Sequence, residues 1–178
     1  MGCGGNGDRG AKHNAIRDVI FAAAQSASLS PSREAAHLVA DSAARPADIL
    51  LPNWSQGRSA ALDVHVISPL QASLVAKAAY SAGQALRDGV DRKLRANLES
   101  CRSARMNCIP MVAESLGGLA SDFIETIRNI GNSIMLRSGS ADATKHLFGR
   151  ISIALWRGNA SAWLHRMPPL PPELDGVT

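Results

Sequence analysis

The sequence predicts an α/β domain in which a small mixed β-sheet, a central hairpin plus one further strand, is flanked by helices. The chain of 178 residues has the length of one ordinary domain. Its 46% hydrophobic and 19% charged residues are typical of a folded chain with a buried core. Apolar residues recur at helical spacing near both ends, whereas short alternating or continuous apolar runs, typical of strands, lie between them.

The first predicted helix begins near Lys12, where Ile16 and Ile20 belong to a series of apolar residues three or four positions apart. A run of alanines at 22–24 supports this helix through its high helix propensity. Pro31 marks its end, and a second, short helix is predicted over residues 32–40.

Two strands joined by a turn are predicted next. Residues 47–51 form a short apolar run closed by Pro52, which is typical of a buried strand. Residues 53–57 have the composition of a turn. Residues 61–67 alternate apolar and polar side chains with a period of two, so a β-hairpin is expected.

The remaining elements are mostly helical. One or two helices are predicted over residues 70–100, with a break at Gly89. A third strand is predicted over residues 108–113, where Pro110 would place it at a sheet edge or a bulge. Two further helices are predicted over residues 122–137 and 144–164.

The three tryptophans are expected to have structural roles. Trp54 lies in the predicted hairpin turn and should pack over the hairpin. Trp156 and Trp163 are seven positions apart on the last helix, so they share a face that we expect to pack in the core.

Charge and cysteine content restrict the class of protein. The net charge of +4 is compatible with a phosphate-bearing partner. The sequence has no window of eighteen apolar residues, so no membrane span is predicted. Three cysteines without paired zinc spacing indicate reduced thiols in an intracellular protein.

Two aspartates occur in an apolar strand context, Asp48 at the start of the first predicted strand of the hairpin and Asp63 within the second. A buried carboxylate is costly unless it is paired or binds a cation, and two adjacent carboxylates repel each other. Their oxygens are ligands that suit Mg²⁺ or Mn²⁺, so one interpretation is a metal site. The other is that Asp48 is a turn residue and Asp63 lies on the solvated face of its strand.

The order of these residues resembles a known motif. Asp48 follows Arg-Pro-Ala, and fourteen residues separate it from Asp63, which Val-His follows. This pattern resembles the Pro-Asp…Asp-x-Lys core of the restriction-endonuclease-like superfamily. It is similar, more narrowly, to the C-terminal endonuclease domain of eukaryotic non-LTR retrotransposon polyproteins. Further similar stretches, in the same order, are KHNAIRD at 12–18, DRKLR at 91–95, IPMVAESLGG at 109–118 and WRGNA at 156–160.

The resemblance implies a restriction-endonuclease-like fold and a DNA endonuclease, dependent on Mg²⁺ or Mn²⁺, that nicks target DNA for target-primed reverse transcription. It implies that Asp48 and Asp63 bind the metal and act in catalysis. The superfamily lysine two positions after the second acid is replaced by His65 here. The resemblance implies that Lys93, on the helix that follows, takes the place of that lysine, with Lys77 the second candidate.

Auxiliary roles are assigned to His65, Glu114 and Lys77, although each has an alternative as an ordinary solvated or packed side chain. DNA binding is assigned to basic residues on two predicted helices, whose alternative role is simply to solvate a helix face. These residues are Lys12, His13, Arg17, Arg92 and Arg95.

The resemblance also predicts the domain organisation. Residues 1–11 would be a flexible remnant of a zinc knuckle that retains only Cys3, so bound zinc is not expected. Residues 12–166 would form the endonuclease-like domain, and residues 167–178 a proline-rich disordered tail. The reverse transcriptase region of a parent polyprotein would be a partner, and the protein would act in the nucleus.

Two alternative functions stay open. The first is a catalytically decayed remnant that folds and binds nucleic acid without cleaving it, which the single knuckle cysteine and His65 favour. The second is a helical interaction protein in which Asp48 and Asp63 are surface residues, with carboxylates more than about 8 Å apart, too far to share Mg²⁺.

Overall fold

A computed structural model describes residues 5–33 and 47–167 of the chain. Over these ranges the protein is an α/β structure in which a four-stranded mixed sheet packs with five helices. In chain order the elements are α1 (Gly5–Ser26), β1 (Ser32–Arg33), β2 (Ile49–Ser55), β3 (Arg58–Ile67), α2 (Val75–Tyr80), α3 (Gln84–Ser103), β4 (Asn107–Glu114), α4 (Ser121–Ser138) and α5 (Ala143–Leu164).

The strands of the sheet are arranged in the order β1-β2-β3-β4. Strands β2 and β3 form the predicted antiparallel hairpin, and β4 adds to β3 in parallel, with Asp63 opposite Pro110. The prediction for Pro110 is confirmed, because β4 lies at the edge of the described sheet. Strand β2 continues past Pro52 to Ser55, with a register shift that accommodates the proline.

Helices cover both faces of the sheet. Alternation along β3 and β4 directs His65 and Val112 toward α3, and a Cβ placed at Gly89 of that helix would lie 2.8 Å from Val112 Cγ1. Val64 and Met111 point to the opposite face, where α1 and α4 pack with α5. A core of mostly aliphatic side chains fills this second layer.

Several boundaries differ from the predictions. Helix α1 begins at Gly5 rather than near Lys12, although glycine is a poor helix former; the helix packs against α5. Ser32–Arg33 is a strand paired with β2, not part of a helix, because the hairpin offers a free edge for pairing. The rest of the predicted 32–40 helix, residues 1–4 and the tail beyond Met167 lie outside the described residues.

The predicted break at Gly89 is wrong. Gly89 lies inside α3, and the interruption falls instead between α2 and α3, where Gly83 adopts a left-handed backbone with φ of 72°. The glycine at 89 serves close packing, because any larger residue would collide with Val112 on the sheet.

Within the described ranges, no helix is long and apolar enough to cross a lipid bilayer.

Candidate functional site

The site is built around Asp48, which immediately precedes β2. Its backbone N–H donates to the carbonyl of Leu62 over 2.9 Å, and its Oδ2 accepts from the N–H of Val64 over 2.7 Å. Leu62 and Val64 are the two chain neighbours of Asp63. The hairpin therefore holds Asp48 across from Asp63, as the sequence pattern predicts.

His13 of α1 closes one side of the site. Its Nδ1 lies 3.0 Å from the carbonyl oxygen of Val64, and its Nε2 lies 3.2 Å from Asp48 Oδ1. Both partners are acceptors when Asp48 is ionised, so both ring nitrogens must carry protons to donate to them. The hydrogen bond to Asp48 is the main cause that raises the pKa of His13 above 6.5. The imidazolium and carboxylate form an ion pair at the end of the hairpin.

Helix α3 supplies two donors to Asp63. Lys93 Nζ donates to Oδ1 over 2.8 Å, and Asn97 Nδ2 donates to Oδ2 over 2.5 Å. Lys93 and Asn97 are four positions apart, so they lie on the same face of the helix. Asp63 as a whole is 7% exposed, and its carboxylate is stabilised by these two contacts rather than by bulk water.

The two carboxyl groups differ in their electrostatics. Burial alone would raise the pKa of Asp48, but the hydrogen bond and charge of His13, the Val64 N–H and the charge of Lys93 together lower it below 3.8. Burial is the main cause that raises the pKa of Asp63, and the negative charge of Asp48 adds to it, against the opposing effect of Lys93. The surroundings thus favour the ionised form of Asp48, whereas burial works against the ionised form of Asp63.

The oxygens of Asp48 and Asp63 fit a divalent cation in their chemistry. Mg²⁺ is commonly bound by one or two carboxylates, with water and phosphate oxygens as its other ligands. The two side chains are 20% and 10% exposed, so the site reaches the protein surface. Among the described residues no group of three or more His, Cys, Asp or Glu side chains is placed to bind a metal.

The three auxiliary candidates lie elsewhere. His65 is packed beneath α3, where its Cδ2 lies 3.6 Å from the position that a Cβ at Gly89 would occupy. Glu114 is paired with Ile67, four residues along β3 from Asp63, or about 13 Å at the usual strand rise. Lys77 of α2 is 67% exposed, and its Nζ lies 4.0 Å from Asp88.

The predicted DNA-binding residues fall into two groups. Arg92 and Arg95 are exposed on α3, the helix that carries Lys93 and Asn97. On α1, the Arg17 side chain is only 12% exposed and donates to Asp18, so its guanidinium serves the fold. Lys12 is half-buried against α5, and His13 binds Asp48. Of the five predicted DNA-binding residues, the exposed ones are therefore Arg92 and Arg95.

Trp54 lies in β2 rather than in the predicted turn, and it packs against the hydrophobic core. The prediction for the other two tryptophans is wrong. Trp156 is 55% exposed and Trp163 is 71% exposed. Leu155 and Ala162 lie on the buried face of helix α5. Each tryptophan is the next residue after one of them and is therefore rotated by about 100° around the helix axis, away from that face. The two rings share a face, as expected, but that face points to solvent.

Asn97 was not among the predicted site residues. The available signal is its position, four residues after Lys93 on a helix, which puts both side chains on one face. The contact of His13, a predicted DNA-binding residue, with the first aspartate was not predicted either.

Comparison with known proteins gives no relative for this chain: no family model, no curated protein and no solved structure matches it. The function is therefore inferred from the geometry of the site and the motifs of the sequence.

Proposed function

We propose that this chain is a metal-dependent DNA endonuclease domain with a restriction-endonuclease-like fold. The observation that carries the proposal is the convergence of Asp48, Asp63 and Lys93 in one partly exposed site. Two carboxylates and a lysine are the groups that metal-assisted phosphodiester cleavage uses. The motif resemblance supports the same function, as the nicking step of target-primed reverse transcription by a nuclear retrotransposon polyprotein.

A divalent cation held by Asp48 and Asp63 would polarise the scissile phosphate and lower the pKa of a bound water. The protein side chains have separate tasks. Lys93, with its ammonium at the site, offsets the charge of an incoming phosphodiester and orients water through its N–H donors. His13 keeps Asp48 ionised and fixes one of its oxygens, so it is a positioning residue. Asn97 fixes one oxygen of the Asp63 carboxylate through its hydrogen bond.

The protonation state of His13 limits its role further. While its two N–H groups donate to Val64 and Asp48, the ring has no lone pair with which to accept a proton. A general base role for His13 would require both contacts to break. The Lys93 ammonium, which donates to Asp63, has no lone pair either, so bulk solvent is the better proton acceptor for the attacking water.

The proposal is tested on supercoiled plasmid with Mg²⁺ or Mn²⁺. We expect Asp48→Asn and Asp63→Asn each to abolish nicking, because each replaces a carboxylate with a neutral amide of similar shape. Asp122→Asn, an exposed residue at the start of α4, is the matched control and should nick like the wild type. Nicking that persists in both site variants, or a wild type that never nicks, rejects the proposal.

One observation favours a second function, that of a domain that binds nucleic acid without cutting it. Each carboxylate oxygen of the pair already accepts a hydrogen bond, from His13 and Val64 at Asp48 and from Lys93 and Asn97 at Asp63. His13 and Lys93 also balance the two negative charges without a metal. This alternative predicts salt-sensitive DNA binding, no heat of Mn²⁺ binding by calorimetry, and no nicking.

A further inference from the structure

A cavity of about 610 Å³ opens where α1, the end of β3 and α5 meet. Its volume is within the range of sites that bind small ligands, roughly 300–1,000 Å³. The residues that carry its chemistry are two tryptophans, two cations and an amide, namely Trp156, Trp163, Lys12, Arg166 and Asn159.

The two tryptophans make this cavity unusual. Exposed apolar patches larger than scattered single residues mark sites that bind a partner or a ligand, and these two rings are 55% and 71% exposed. Trp156 and Trp163 are seven residues apart on α5, about 10 Å along the helix axis, and both side chains line the cavity. Ala162, 5% exposed, lines the wall between them.

The polar groups of the cavity are held in place by the fold. Asn159 Nδ2 donates to the carbonyl of Ser115 over 2.6 Å, which fixes its amide. A Cβ at Gly158 would lie 2.5 Å from Lys12 Cγ, so the glycine is what allows the lysine side chain to cross α5. Lys12 and Arg166 are both part of the cavity lining, so two cationic side chains lie beside the aromatic rings.

The cavity is adjacent to the aspartate pair. Lys12 lines the cavity, and the next residue, His13, contacts Asp48. Val66 also lines the cavity, three residues along β3 from Asp63, or about 10 Å at the usual strand rise. Val66 lies on the sheet face opposite the Asp63 side chain, so the cavity and the candidate site are linked through Lys12 and His13 of α1.

We propose that this cavity binds unpaired nucleotides of a single-stranded nucleic acid, whose bases stack on Trp156 and Trp163 while Lys12 and Arg166 attract the phosphates. Exposed aromatic rings beside cations are how sequence-independent single-strand sites are built. The net charge of +4 favours the same polyanionic ligand. The inference deepens the proposed function, on which it rests for the position of the strand beside the cut, but the binding itself requires no cleavage.

The test measures binding of a fluorescein-labelled oligothymidylate of about eight nucleotides by fluorescence anisotropy, in EDTA and at low salt. Base stacking on one aromatic ring is worth roughly five- to 150-fold in affinity. We expect Trp156→Ala and Trp163→Ala each to weaken binding at least fivefold. Ile153→Ala is the matched control, an equally exposed apolar residue of α5 outside the cavity lining, and should bind like the wild type.

Thermal unfolding shows whether the variants fold, and both substituted tryptophans are exposed, so the unfolding midpoints should stay close to that of the wild type. Equal affinity of the folded tryptophan variants and the wild type overturns the proposal. A change in the sedimenting mass of these variants also overturns the proposal, because it would show that the cavity is a contact between copies of the chain. A third contrary result comes from tryptophan fluorescence measured in a Trp54→Phe background. If the fluorescence changes when residues 168–178 are removed but not when the oligonucleotide is added, the occupant of the cavity is the C-terminus of the chain itself.

Asp48→Asn separates this inference from the proposed function. It should lose nicking and keep oligonucleotide binding. If the wild type never nicks DNA but its oligonucleotide binding depends on the tryptophans, the endonuclease proposal is rejected and the proposal for the cavity stands. If the wild type nicks DNA but its oligonucleotide binding does not depend on the tryptophans, the proposal for the cavity is rejected and the endonuclease proposal stands.

Discussion

Lys93 Nζ donates to Asp63 Oδ1 over 2.8 Å and thereby joins the middle of α3 to the second strand of the hairpin. The two side chains are 24% and 10% exposed, so water screens this ion pair only partly. The contact provides the positive charge that a buried carboxylate requires. It also fixes the position of the one lysine that the described structure places at the aspartate pair.

Replacing Lys93 with methionine should lower the free energy of unfolding by roughly 1.5–3 kcal/mol, because Asp63 keeps its burial but loses a charged donor. Urea denaturation at neutral pH measures the change. Lys77→Met is the matched control: Lys77 is 67% exposed, so its loss should cost less than about 0.5 kcal/mol. Equal losses in the two variants would show that the Lys93 contact adds nothing to stability.

The ion pair of His13 and Asp48 should make stability depend on pH. The pKa of His13 is raised above 6.5 in the folded state, so its contribution is complete below pH 6.5 and is lost as the pH rises through the folded pKa. The pKa of Asp48 is lowered below 3.8, so its contribution is present above pH 3.8 and is lost in stronger acid. The wild type should therefore exceed His13→Gln in stability most clearly between these two values.

Urea midpoints of the wild type and His13→Gln, measured in EDTA from pH 5 to pH 9, check this expectation. The difference between them should shrink above pH 6.5. His146→Gln, an exposed histidine of α5, serves as the control and should show no such trend. A difference that is constant or grows with pH would contradict the ion pair.

Local patterns explain why much of the fold is predictable. The alternation of residues 61–67 reflects a strand with one face toward each helical layer, and the observed β3 contains that range. The apolar periodicity of 122–137 and 144–164 predicts α4 and α5 to within a residue at each end. In these segments the buried face and the local propensity agree, so no distant contact is needed to decide the structure.

The errors occur where tertiary contacts decide. Gly89 has the composition signal of a helix break, but its actual role is to let α3 approach Val112 of the sheet. Strand β1 is only two residues long and exists because the edge of β2 offers it hydrogen bonds. The exposure of Trp156 and Trp163 depends on which face of α5 meets α1 and α4, which periodicity alone does not specify.

In the candidate site too, some features follow from local sequence patterns and others depend on tertiary contacts. The hairpin pattern and the cost of burying carboxylates predict that Asp48 and Asp63 lie together. Lys93 was indicated by the motif resemblance, not by the spacing of residues. The contact of His13 with Asp48 joins residues thirty-five positions apart through the packing of α1, and no local pattern contains that information.

The thiol of Cys108 should be unreactive in the folded protein. Burial is the main cause that raises its pKa, to about 12, and neighbouring Cys101 adds to the effect. Only the thiolate is a good nucleophile, so very little of the Cys108 thiol is reactive at pH 8. Iodoacetamide labelling followed by peptide mass spectrometry should show slow modification in buffer and rapid modification in urea. Equal rates in the two conditions would contradict the protection of this partly buried thiol by the fold.

Alanine at two helical glycines should have opposite effects on stability. Gly89→Ala should destabilise the protein by roughly 1–3 kcal/mol, because the new Cβ would lie 2.8 Å from Val112 Cγ1 and force α3 away from the sheet. Gly149→Ala, on α5 with no atom within 4 Å of the new Cβ, should stabilise it by about 0.4–1 kcal/mol. Urea denaturation of both variants measures the two changes. A gain at both positions would mean that helix propensity, not packing against Val112, determines the choice of glycine at 89.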